Sequence, residues 1–487
     1  MIFLKELFLQ AFPDLADCDS VPNFPIRGIE CDSRKVEKDF LFVAVSGVKK
    51  DGAQFIDEAV SRGARVIVGE KSRDFPGGVS FVTVAQSRLA LAQLAAAYYG
   101  HPSQQMKMIG ITGTNGKTTS SFLIEHLLMK ANKKTGVIGT VNYRYGGRVI
   151  PAVETTPGAL RIQEMLCQMQ KDGCEVVAME VSSHALDQHR VSAVDFDAAL
   201  FTNLSQDHLD YHGTLEHYFE CKSRLFLELD ADRVSILNAD DTWAMKLREK
   251  TASRILTYGI HAPADFKAQN IRSNGDFTFF KLAVQGKVFS VELPLIGLHN
   301  VYNFLGSLAT VSCLGADVER AVRAVRDFKG VPGRLEAVKC GQDFSVFIDF
   351  AHTPDGLENL LRSLLPCKKN RLIVVFGCGG ERDKTKRPEM GRIASRTCDF
   401  VYVTSDNPRS EDPKTIAQEV QSGFPKNFKK FAVVLDRKKA VRQALLSART
   451  GDIVVLAGKG HETVQVVGDQ HFPYSERAEA ERVLRGG

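Results

Sequence analysis

MIGITGTNGKTTSSFLIEHLL, residues 108–128, is the stretch on which the reading of this chain turns. A short apolar run predicts a strand. A Gly-rich loop follows, Gly113-Thr114-Asn115-Gly116-Lys117-Thr118-Thr119, and then a helical pattern. In such a loop the backbone N–H groups converge on one point, and the helix N-terminus adds partial positive charge. Lys117 is placed to neutralise β/γ-phosphate charge, and the Thr118 hydroxyl to ligate Mg²⁺. The pattern departs from G-x-x-x-x-G-K-[ST] in one respect: Ile111 stands at the first glycine position, flanked by Gly110 and Gly113. A plain Gly-rich turn is the bland alternative, but the strand–loop–helix context favours a phosphate cradle.

Outward from this loop the chain alternates short apolar runs with helical stretches. Strands are predicted at Leu41–Val45, Arg65–Val68, Val176–Glu180, Ala198–Thr202, Val234–Leu237, Ser345–Asp349, Leu372–Phe376, Phe400–Thr404 and Ile453–Ala457. Residues 271–295 alternate apolar and polar around turns and read as β-hairpins. This order predicts an α/β chain with parallel sheets covered on both faces. The breaks at His101-Pro102 and Val331-Pro332 suggest three domains: 1–101, 102–331 and 332–487. The N-terminal MIFLKELFLQAF has helical spacing and is interrupted by Lys5, Glu6 and Gln10, so an amphipathic helix is expected rather than a signal peptide.

Composition excludes several classes. Over 487 residues the formal charge is +5, with no dense basic block, which argues against nucleic acid. Ten cysteines are scattered without a CxxC pair, which argues against zinc and for a reduced, cytoplasmic setting. No run approaches the roughly 18 apolar residues of a membrane span.

Further motifs accompany the loop: Glu180-Val181-Ser182-Ser183-His184, Thr202-Asn203-Leu204-Ser205-Gln206-Asp207-His208-Leu209-Asp210-Tyr211-His212, His299-Asn300-Val301-Tyr302-Asn303, Pro332-Gly333-Arg334 and Ala351-His352-Thr353-Pro354-Asp355. Together with GTNGKTT they resemble the Mur ligase superfamily almost end to end. Asp406-Asn407-Pro408-Arg409 is similar to the signature of its diaminopimelate-adding branch. The resemblance implies a UDP-precursor-binding N-terminal domain, a central P-loop ATPase-like sheet, and a C-terminal Rossmann-like domain that brings the amino acid.

It also implies residue roles. Lys117, Glu180, His208 and Lys222 are expected to be catalytic. Thr118, Glu180, His208 and Lys222, the last as a carbamate, are expected to hold Mg²⁺. From the residues alone, His208 reads as a structural histidine and Lys222 as a solvated helix lysine. Gly113 to Thr119, with Asn300, Asn303, Arg334, Asp349 and His352, are expected on the ATP side, although either asparagine could cap a helix. Phe350 stands where many relatives carry Tyr. Ser33, Thr155, Thr156, Ser182, Gln188 and Arg190 are expected to contact the UDP-precursor. Val48-Lys49-Lys50 replaces more neutral polar residues of relatives.

Arg382, Asp406, Asn407, Pro408, Arg409, Gly458 and Glu462 are expected around diaminopimelate. Its distal carboxylate calls for fixed, bidentate guanidinium partners, and its distal ammonium for Glu462. By itself Asp-Asn-Pro-Arg also reads as an ordinary turn. The function implied is that of an ATP-dependent amide ligase of peptidoglycan synthesis. It would work through an acyl phosphate on UDP-N-acetylmuramoyl-dipeptide, as a monomer, with no nucleic-acid or membrane partner. The rivals are a lysine-adding ligase of the same branch, a folate-polyglutamate-type ligase without the N-terminal block, and a non-enzymatic P-loop switch.

Overall fold

In a computed structural model, residues 2–13, 22–47, 51–73 and 78–486 are described. Cys18 and the Val48–Lys50 loop lie outside them. Among the described residues no helix is long and apolar enough to cross a membrane. The chain is α/β and forms two compact units, one of residues 1–112, 132–199 and 221–234, the other of residues 113–131, 200–220 and 235–487.

The first unit opens with the expected amphipathic helix, Leu4–Ala11, which buries Leu4, Leu7, Phe8 and Ala11. Their partner is Ser87–Tyr98, an alanine-rich helix whose small side chains allow close approach. Both rest on a four-stranded parallel sheet ordered Gly28–Glu30, Phe40–Val43, Ala64–Gly69, Ser80–Thr83. Further along, Val176–Glu180 runs parallel between Thr135–Ile138 and Lys107–Thr112. It is buried throughout, which is why it reads as an unbroken apolar run. Glu180 ends that strand, at the edge where ligand sites of parallel sheets gather.

The second unit holds the phosphate-loop helix Lys117–Lys130, packed along Leu298–Cys313. An antiparallel meander, Phe266–Ser273, Thr278–Val284 and Lys287–Leu293, matches the predicted hairpins but begins earlier than residue 271. Its C-terminal sheet is ordered Glu336–Ala337, Ser345–Asp349, Ile453–Ala457, Leu372–Phe376, Phe400–Val403, Phe431–Val433. All pairings but the first are parallel. Alternate residues face two separate cores: Val374, Phe376, Val401 and Val455 meet the helices Pro354–Leu364, Lys386–Thr397 and Pro413–Gln421. Ile373, Val375, Val454 and Leu456 meet Arg437–Ser447 and Glu476–Leu484. Thr202 and Thr404 leave their ladders one residue earlier than predicted and begin loops instead.

Those last two helices are tied by an ion pair without exposed surface, Arg437 Nη2 to Glu476 Oε2 at 2.9 Å. Arg437 also donates to Ala457 O at 2.8 Å, and the Tyr474 hydroxyl donates to Glu476 at 3.1 Å. Breaking one side of such a pair strands a buried charge. Arg437→Met is expected to lower the free energy of unfolding by about 3–5 kcal/mol, measured in urea, and the double change Arg437→Met/Glu476→Leu to recover much of it.

Candidate active site

Two glycines shape the phosphate loop. Gly113 (φ +142°) and Gly116 (φ +91°) adopt backbone conformations that side chains disfavour. A Cβ at Gly113 would lie 1.9 Å from Thr202 Oγ1, and one at Gly116 2.3 Å from Asn303 Oδ1. The loop is clamped by residues 202–205: Thr202 Oγ1 donates to Asn115 O (2.7 Å), Asn115 N to Asn203 Oδ1 (3.0 Å), and Ser205 N to Thr114 Oγ1 (3.0 Å). Lys117 Nζ donates to Gly113 O (2.7 Å) and Thr114 O (2.8 Å), so its charge is held at the loop.

A cavity of about 380 Å³ adjoins this loop. The structure brings Asn300, Asn303, Arg334, Asp349 and His352 to its wall, together with Gly116, Thr118 and Thr119. The two asparagines bond one another (3.1 Å) and Asn300 Nδ2 donates to Ile296 O (2.8 Å), so neither caps the helix end through its side chain. Arg334 Nη2 reaches Thr118 Oγ1 at 3.3 Å, and its guanidinium lies 4.6 Å from the centre of the Phe350 ring. Phe350 thus supplies a cation–π face where a tyrosine would add a hydroxyl. Asp349 accepts from Leu335 N and Ala351 N, both at 2.7 Å. Burial pushes its carboxyl above the ordinary value, with Arg334 opposing.

One lining group, Asp240, escaped the sequence reading. Tyr302 donates to Asp240 (2.8 Å), whose carboxylate also takes three backbone N–H groups at residues 260–262. Against the opposing effect of burial, those bonds hold it down at about 2. Asp207 was quoted only as part of a motif, yet it is a hub. Buried, it has His208 Nε2 at 3.5 Å, His352 Nε2 at 3.7 Å and Lys386 Nζ at 3.9 Å. Burial alone would raise its carboxyl; the two histidines and Lys386 outweigh that and hold it well below the carboxylate range. His208 itself sits in the left-handed region, φ 55°.

In the first unit, Glu180 is 1% exposed and accepts from Thr140 N (3.0 Å) and Thr140 Oγ1 (2.8 Å). Lys222 is also 1% exposed, so the reading of a solvated helix lysine does not hold. Thr155, Thr156, Ser182, Gln188 and Arg190 gather beside Glu180. Thr155 Oγ1 lies 3.1 Å from Thr140 Oγ1, Thr156 Oγ1 donates to Glu180 O (2.8 Å), and Ser182 N donates to Thr156 Oγ1 (3.0 Å). Arg190 reaches Thr156 O (2.8 Å), Gln188 Oε1 (2.9 Å) and Glu154 Oε2 (2.7 Å). Ser33 does not join this group by any hydrogen bond; its hydroxyl donates to Glu58 at 2.7 Å.

The loops after three neighbouring parallel strands meet in the C-terminal sheet: residues 377–383, 404–409 and 458–462. Arg409 has φ +51°, and its Nη1 donates to Gly380 O at 2.6 Å. Burial, then the neighbouring Arg382, push its pKa down, while Asp406, Glu381 and Glu462 oppose the shift. Asn407 Nδ2 donates to Glu462 Oε2 at 3.0 Å, and Gly458 packs so that a Cβ would lie 2.6 Å from Asp406 Oδ2. Pro408 links these residues, and its carbonyl approaches Gly380. Below them Arg387 binds Glu411 (2.9 Å), Glu419 (2.6 Å) and Gly379 O (3.0 Å).

Hydrogen bonding to Arg387 holds the Glu411 carboxyl down at about 2, against burial. A depressed carboxylate contributes stability that is complete above the unfolded value of 4.5 and is lost as pH falls toward 2. Glu411→Gln is expected to flatten this part of the pH–stability profile, read by urea unfolding. Lys117→Ala is expected to lower turnover of nucleoside triphosphate by about 10²–10³-fold with an unchanged circular dichroism spectrum.

Known proteins fit this arrangement. Residues 25–99 match the catalytic domain of the Mur ligase family, 111–311 the Mur ligase middle domain, and 333–460 the Mur ligase glutamate ligase domain. The chain is 42% identical to the UDP-N-acetylmuramoyl-L-alanyl-D-glutamate–2,6-diaminopimelate ligase of Caldanaerobacter subterraneus, over 95% of each chain. It is 44% identical to that of Geobacillus kaustophilus, over 95% of this chain and 96% of the relative. A solved structure of a ligase of the same name superposes with a TM-score of 0.70 at 32% identity, over 98% of both chains. A MurF ligase from Thermotoga maritima in complex with ADP (TM-score 0.64, 21% identity, 94% of this chain and 96% of that one) shares the fold. Full-length identity and the three matched segments make this chain a member of the Mur ligase family.

Proposed function

We propose that this chain is an ATP-dependent ligase that joins meso-2,6-diaminopimelate to the D-glutamate of UDP-N-acetylmuramoyl-L-alanyl-D-glutamate. The observation that carries this reading is the meeting of Arg409, Arg382, Asn407 and Glu462 at the ends of three adjacent strands. Two neighbouring guanidinium groups offer planar, bidentate donors to a carboxylate. A distal carboxylate suits them, and lysine lacks one. Asp406, Pro408 and Gly458 shape the same pocket. The names of relatives over 40% identical along the whole chain support the reading.

The precursor's glutamyl carboxylate attacks the γ-phosphorus of ATP, giving an acyl phosphate and releasing ADP. The diaminopimelate amine then attacks the acyl carbon, phosphate leaves, and the nitrogen gives up a proton. Lys117 screens the approach of two anions, and the loop N–H groups orient the phosphates. Thr118, Glu180, His208 and Lys222 would hold Mg²⁺, which would supply further positive charge there. A buried carboxylate, an imidazole and a hydroxyl suit it, and carbamylation turns Lys222 from a cation into an anionic oxygen ligand. Asn300, Asn303, Arg334, Asp349 and His352 position ATP. Thr155, Thr156, Ser182, Gln188 and Arg190 bind the precursor, as does Ser33 from the short helical turn Ser33–Lys35.

The division 1–101, 102–331 and 332–487 then assigns precursor, ATP and amino acid to successive domains. The setting is the cytoplasm and the protein a monomer serving peptidoglycan synthesis. Phosphate release is measured with ATP, Mg²⁺ and the UDP-muramoyl-dipeptide, with diaminopimelate or L-lysine as acceptor, and the product is weighed. Turnover confined to diaminopimelate is expected; turnover with lysine alone sinks the pocket argument. Arg409→Ala is expected to cut kcat/KM for diaminopimelate by about 10²-fold.

A further inference from the structure

Lys459 is a charged side chain that the proposed mechanism leaves without a task. It sits between Gly458 and Gly460 and has no exposed surface (0%). Its ammonium has three donors. They go to Asn407 Oδ1 (2.8 Å), to Val464 O (2.7 Å) and to Glu462 Oε2. With every donor engaged by the protein, Lys459 is not built to grip a substrate directly.

Its effect falls on the two residues that are. Asn407 Oδ1 accepts from Lys459 Nζ and from Val466 N (2.9 Å). A flipped amide would turn its NH₂ toward those two donors, so Lys459 fixes which end of Asn407 is the donor. Nδ2 then faces Glu462 Oε2 at 3.0 Å. Glu462 is therefore held through one oxygen by both a cation and an amide. The loops that follow Phe400–Val403 and Ile453–Ala457 are stitched together through this single ammonium.

We propose that Lys459 is a positioning and specificity-determining residue for the amino-acid substrate. It holds Asn407 in one amide orientation and anchors Glu462 through Oε2, in place for the distal ammonium of a diamino acid. This inference rests on the function proposed above.

The test uses full-length enzyme and the variants Lys459→Met, Lys459→Gln and Lys459→Arg. KM is measured for each of the three substrates, alongside melting temperature. In Lys459→Met the KM for diaminopimelate is expected to rise about tenfold or more, while those for ATP and the UDP-precursor change less than about twofold. Lys459→Arg keeps the charge and is expected to restore part of the affinity. Lys459→Gln serves where the Met variant does not fold. Equal changes in all three KM values, or none, overturn the inference while leaving the ligase reading intact. Wild-type enzyme that does not use diaminopimelate overturns both.

Discussion

The hydrogen bonds between the phosphate loop and residues 202–205 constrain the rest of the site. Thr114 and Ser205 exchange bonds, and Asn115 is held through its carbonyl by Thr202 and Asn203. From this clamp the network runs on in two directions. Asn115 Nδ2 donates to Asp355 at 2.9 Å, at the start of the helix that follows His352. Gln206 reaches Asp383 and Thr385, and Asp207 draws His352 and Lys386 toward one carboxylate. The loop Gly113 to Thr119 is thus wired to the C-terminal segments that carry Asp355, Asp383 and Lys386. Buried networks of this kind are rigid only when fully satisfied, which explains the density of side-chain bonds here.

Much of the fold was legible because parallel strands covered on both faces must be apolar at successive positions. Val176–Glu180, Ser345–Asp349, Leu372–Phe376 and Ile453–Ala457 have the bounds read from sequence. The meander was harder. Its first strand carries Lys267, Gln269 and Asn270, and a register shift between Gln269 and Arg272 breaks the period-two signal. Motif residues were legible as positions, but their partners were not. Asp207, Asp240 and Lys459 matter through groups far away in the sequence, which spacing cannot reveal. The burial of Lys222 was likewise hidden, since a lysine on an amphipathic helix reads as solvated.

Electrostatics separates the two ends of the chemistry. Around the phosphate loop, cations are matched by carbonyls and hydroxyls at hydrogen-bond distance, as with Lys117 and Arg334. Around Arg409 a second guanidinium, Arg382, and the carboxylates of Asp406, Glu381 and Glu462 act in opposition, and the backbone there is held in the left-handed region by bonds to Val466 O (3.2 Å) and from Gly468 N (2.8 Å). Backbone strain at a charged residue is typical of a place organised for a ligand rather than for stability.

The strand Ile453–Ala457 lies between Ser345–Asp349 and Leu372–Phe376, although it is made after both. During synthesis those two earlier strands emerge with a gap that only a much later segment fills. The sheet therefore cannot close progressively from one edge, and its central pairing is long-range, which slows folding. Until the last strand arrives, the inner edges of its neighbours stay open to wrong partners, so the nascent C-terminal region is exposed to mispairing.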